Sequence, residues 1–74
     1  MSEFYSRVFG VCRQYLGDDT KIFLDRQITA HLSKDPEALT EEDKDTLARW
    51  VRISAGLFLA ADDAVELEKS IRNL

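Results

Sequence analysis

Apolar residues recur along this chain at helical spacing in four separate stretches, and no stretch alternates as a strand would. In residues 2–16, Phe4, Tyr5, Val8, Phe9, Val11, Cys12, Tyr15 and Leu16 fall on one arc of about 160° on a helical projection. Glu3, Ser6, Arg7, Gly10, Arg13 and Gln14 fill the opposite side, so the partition is complete. Gly17 follows, a residue suited to the left-handed conformation that ends helices. Residues 19–33 carry two apolar stripes. Leu24, Ile28, His31 and Leu32 form one, and Phe23, Gln27 and Ala30 the other. Two stripes predict two helical neighbours, and Asp18 or Asp19 is the expected cap.

The third stretch, 41–60, has the clearest start. Thr40-Glu41-Glu42-Asp43 is close to a capping box, with Asp in place of the usual Glu or Gln, and three acids sit where the helix dipole favours them. Leu47, Trp50, Val51, Ser54 and Phe58 form its central stripe. From Ile53 onward the sequence is apolar nearly all round, which predicts a helix surrounded by others, with Ser54 and Gly56 small enough to admit a close neighbour. The fourth stretch, 63–73, is expected to be capped by Asp62, with Ala64, Leu67, Ile71 and Leu74 facing inward. Between the second and third, Asp35-Pro36 reads as a cap followed by a first helical residue. It predicts a one-turn helix at 35–39 that ends in a buried plug, Leu39. The expected architecture is all-α: a compact four-helix domain spanning residues 1–74, with the third helix central and paired antiparallel with the fourth.

Size changes the picture. A chain of 74 residues buries only about 60% of its unfolded surface, and small domains often need a staple. Cys12 is the single cysteine and His31 the single histidine, so neither a disulfide nor a zinc site is on offer. A second copy is the remaining source of stability, and a homodimer is the expectation.

Charge narrows the partners. The net charge is −4, and residues 34–45 account for it: Lys34 and Lys44 stand against Asp35, Glu37, Glu41, Glu42, Asp43 and Asp45. Elsewhere acids and bases balance, and the bases are scattered, which argues against nucleic acid. The first ten residues lack the apolar core of a signal peptide. The longest nearly apolar run, Ile53 to Ala61, is far shorter than the about 20 residues a bilayer span takes. These features, with an unpaired cysteine, point to the cytoplasm.

The candidate chemistry is thin. The acidic run invites a calcium reading, but an EF-hand loop needs glycine at its sixth position. Counting from Asp35 that position is Thr40, and from Asp43 it is Ala48. Leu39-Thr40-Glu41-Glu42 resembles the start of an entering helix in EF-hand proteins, over four residues that any capped helix shares. Cys12 lies on an apolar arc and reads as a small hydrophobe. His31 offers one ligand and no partner, so no metal or cofactor is expected. The aromatics at helical spacing read as core, and Asp45 with Arg49 as an ion pair along one helix. No arrangement of nucleophile, acid and base has recognisable spacing, and an enzyme is not expected. The leading expectation is a non-enzymatic module that self-associates or docks on another protein. The candidate interface is Phe4, Tyr5, Val8 and Phe9 with Leu57 and Leu59. The candidate acidic surface is Asp35, Glu37 and Asp45. The alternative is an apolar-ligand site near His31, Phe23 and Trp50, and a nucleic-acid-associated regulator ranks behind both.

Overall fold

Four α-helices follow one another in a computed structural model that describes residues 2–74: α1 (Glu3–Leu16), α2 (Thr20–His31), α3 (Lys44–Ala55) and α4 (Ala61–Arg72). Short 3-10 turns occupy Gly17–Asp19, Pro36–Ala38 and Glu41–Asp43, and there is no strand among the described residues. The all-α class follows from the 3.6-residue periodicity, as the sequence predicts. The helices pack as a ring, with α1 against α2, α2 against α3, α3 against α4 and α4 back against α1. The third helix is therefore one member of a ring rather than a surrounded axis. The α3–α4 pair is the most extensive contact, as a short connection between consecutive helices favours.

Local chemistry accounts for several helix ends. Ser2 accepts the Tyr5 N–H at 3.0 Å and starts α1. Gly17 closes it with φ of +58°, a conformation in which a side chain would be strained. Asp35 accepts the Glu37 N–H at 3.0 Å and starts the Pro36–Ala38 turn. Before α3, the Thr40 N–H donates to Asp43 Oδ2 at 3.1 Å, and the two residues form a capping box. Asp43 also holds the Lys34 ammonium at 2.8 Å. Burial alone would raise the Asp43 pKa, but Lys34 and the Thr40 N–H outweigh it and hold the carboxyl below its ordinary value.

Two expected caps and one expected ion pair are absent. Asp19 makes no capping bond to α2; instead the Thr20 hydroxyl donates to the Gly17 carbonyl at 2.7 Å. Asp62 lies inside the first turn of α4, which starts from Ala60 without a side-chain cap. Asp45 pairs with Arg72 of α4 at 3.0 Å, not with Arg49. Arg72 also meets Glu68 at 2.9 Å, and Glu68 meets Arg52 of α3 at 2.9 Å, so an ionic ladder runs along the α3–α4 seam.

The core combines Phe4, Tyr5, Val8 and Cys12 of α1 with Phe23, Leu24 and Ile28 of α2. Leu47, Ala48, Val51 and Ala55 come from α3, and Ala64, Leu67 and Ile71 from α4. Leu39 is the buried plug the sequence predicts, at 1% exposure. Trp50 is only half-buried, because α3 turns the Leu47–Ala48–Val51–Ala55 face inward. The small residues Ala48 and Ala55 let α3 lie close to its neighbours, and Trp50 is left at the edge.

The largest difference from expectation is the end of α3. The helix stops at Ala55, and Gly56 and Leu57 donate back to Arg52 and Ser54 as the chain turns. Phe58 and Leu59 both donate to the Ala55 carbonyl. The apolar run from Ile53 to Ala61 is thus half helix and half turn. Its apolar character reflects an uncovered surface, not a helix enclosed on all sides.

Candidate functional site

A groove of ≈ 610 Å³ opens between α2, the end of α1 and the turn after α3. The α2 wall carries Ile22, Phe23, Arg26, Gln27 and His31, with Asp19 just before the helix. The opposite wall is Leu57, Phe58 and Leu59, with Ser54 behind them. Phe23 and Phe58 meet edge to face across it, with ring centroids 5.8 Å apart. At its back, the Ser54 hydroxyl donates to Gln27 Oε1 at 2.8 Å. This bond satisfies the hydroxyl of Ser54 and fixes a nearly buried amide where α2 crosses α3.

The lip of this groove is unusually apolar. Leu57 is 82% exposed, Ile22 68% and Phe58 66%. Single exposed apolar residues are ordinary, whereas here three line one concavity. Burying each such side chain stabilises a complex by about 1.5–3 kcal/mol before the costs of association.

The groove takes over only part of the predicted interface. Leu57 stands on it fully exposed, and Leu59 lines it half-buried. Phe4, Tyr5 and Val8 do not: they are buried in the protein's own core, because the wide arc of α1 covers both α2 and α4. Phe9 is half-buried and stacks beside Tyr5 with centroids 6.1 Å apart. The predicted ligand pocket is likewise divided. Phe23 and His31 line the groove, whereas Trp50 faces a shallow second hollow with Asp45, Thr46, Arg49 and Arg72. His31 is exposed, and its ring lies flat on Trp50 at 4.0 Å and 5°. Asp35, Glu37 and Asp45 are all exposed, but Asp35 caps a turn and Asp45 belongs to the α3–α4 ladder.

Ile22 and Phe58 carry much of the lip, and sequence reasoning did not single them out for it. The signal for Ile22 was present, since it is an apolar residue that fits neither stripe of α2. Phe58 was placed on the inward stripe of a helix that in fact ends before it.

The buried reactive groups are held in place and inert. Burial pushes the Cys12 thiol up to about 12, so it remains a protonated core residue. Tyr5 is buried, and its hydroxyl donates to Asp25 of α2. Burial first, and that bond second, raise the phenol above its ordinary value. No group of three or more His, Cys, Asp or Glu side chains among the described residues is placed to hold a metal ion. Among them, no helix is long and apolar enough to cross a membrane. Compared with known protein families, curated proteins and solved structures, the chain matches none of them.

Proposed function

We propose that this protein is a non-catalytic helical module that acts by docking, on a second copy or another protein, through the α2–Phe58 groove. The observation that carries this reading is the contiguous apolar lip of Ile22, Leu57 and Phe58. A fold of this size leaves three large side chains in water around one concavity while fully burying smaller ones such as Ala48 and Ala55. Interfaces built around aromatic and aliphatic anchors with a polar rim have this composition. The free, buried Cys12 supports a cytoplasmic setting for such a module.

Light scattering across a concentration series tests the reading. The wild-type mass is expected to rise above 8.5 kDa as concentration increases, and Phe58→Ser to hold it at the monomer value. A wild-type protein that stays monomeric at high micromolar concentration removes self-association. The size of the groove favours one second reading, a small apolar ligand, because ≈ 610 Å³ falls within the usual range for such sites. Native mass spectrometry of the purified protein distinguishes the two: a ligand adds a fixed small mass, and a partner copy doubles it.

A further inference from the structure

The groove wall of α2 has a symmetry of its own. Asp19, Ile22, Phe23 and Arg26 all line it, at spacings of three, one and three residues that place them along one face of a helix. An acid stands at one end, a base at the other, and two apolar residues lie between. The midpoint of the stripe falls between Ile22 and Phe23.

Among the described residues, the two terminal charges are unpaired within the fold. Asp19 makes no capping bond, although it stands at the cap of α2. Neither Asp19 nor Arg26 has an ion-pair or side-chain hydrogen-bond partner among the described residues. Their neighbours contrast sharply. Lys21 and Asp25, on the same helix but off the groove, pair at 2.9 Å, and Asp25 also accepts the Tyr5 hydroxyl. Thus α2 satisfies its charges elsewhere and leaves two opposite ones at the ends of its groove-lining stripe, where Ile22 is exposed and Phe23 reaches into the core.

From this pattern we infer that the groove is covered by the groove of a second copy. The two α2 helices run antiparallel about a two-fold axis that passes between Ile22 and Phe23. This builds on the docking reading and commits it to one occupant. Rotation about that axis sets Asp19 of each copy opposite Arg26 of the other and Ile22 of each opposite Phe23 of the other at the centre. A parallel arrangement would set acid against acid and base against base. An isologous pair of this kind repeats each contact twice, so one unspent acid and one unspent base become two cross-copy ion pairs. The apolar centre with charges at its edge matches the anatomy of protein interfaces. A standard interface takes about 800 Å² from each partner, under a fifth of the 4518 Å² surface. Leu57 and Phe58 on the facing wall extend the apolar area beyond α2. The acidic run from Asp35 to Asp45 contributes nothing to the groove walls, so the excess negative charge of each copy stays off this surface.

Charge reversal tests the register. Asp19→Arg alone faces Arg26 of the other copy twice, and Arg26→Asp alone faces Asp19 twice. Each single variant is expected to raise the dimer dissociation constant roughly tenfold or more in low salt. An equimolar mixture of the two variants should recover association near the wild-type level, because the heterodimer regains both opposite-charge pairs. The double variant should recover it as a homodimer. Circular dichroism of each variant verifies that its helices are intact before sedimentation is measured. Single variants that associate like the wild type, or a mixture that fails to recover, overturn the antiparallel arrangement. If Phe58→Ser still dissociates the protein in that case, the docking face stands and only the register falls. A wild type that sediments as a monomer overturns the second copy as occupant, and leaves the docking face to a different protein.

Discussion

The two ends of α3 differ in how they are secured. At its start, Thr40 and Asp43 exchange capping contacts, Lys34 anchors Asp43, and Leu39 is buried immediately before. At its finish there is no side-chain cap, and the chain turns through Gly56 into Leu57 and Phe58, both facing water. The first end is completed by residues within ten positions along the chain. The second has surplus apolar surface that nothing in the fold covers. On the docking reading proposed above, stability is concentrated at one end of this helix and association at the other, and substitutions at the two ends should separate these properties.

Leu39→Ala should have the largest effect on stability. It removes a fully buried plug and should cost about 2–5 kcal/mol, which urea denaturation would measure; a loss below about 1 kcal/mol would mean that the site collapses without penalty. Asp43→Asn should cost about 1 kcal/mol at neutral pH, since it weakens both the cap and the Lys34 pair. The sign of its pH dependence follows from the depressed carboxyl. Because the folded pKa lies below the unfolded value, the contribution of Asp43 is complete above about pH 4 and is lost as pH falls through the folded pKa. Acid denaturation of Asp43→Asn should accordingly be shallower below that pH than that of the wild type. Leu57→Ser, at the other end, should move monomer stability by no more than about 0.5 kcal/mol, yet it should weaken association. A large loss of stability there would show that the lip belongs to the core and would erase the contrast.

What the sequence could reveal follows the same division. The α1 arc, the Gly17 stop, the Asp35-Pro36 turn and the Thr40 start were legible because each rests on neighbours within a few residues. The end of α3 was not. Apolar composition indicates that residues avoid water but not whether the fold or another molecule excludes it, so Ile53 to Ala61 read as a continuous helix covered by neighbours, with Leu57 and Leu59 at an interface. Trp50 was misplaced for a related reason. Its inward place came from helical spacing with Leu47 and Val51, whereas the packed face is rotated toward Ala48 and Ala55 and leaves Trp50 at its edge. Asp45 found Arg72 across the α3–α4 seam instead of Arg49 one turn away, a choice only tertiary structure makes. Of the candidate site, Leu57, Leu59, Phe23 and His31 were visible in advance. The interface role expected of α1 disappeared once its arc was seen to cover two helices rather than one.

The stack of His31 on Trp50 gives this chain a built-in optical gauge. The indole is the protein's single tryptophan and the imidazole its single histidine, and they join the last residue of α2 to the middle of α3. Every photon emitted by tryptophan therefore originates at one helix–helix crossing, one side chain away from the groove. Emission intensity should follow the separation of α2 from α3 without an added label, in the same sample and titration that follow the filling of the groove.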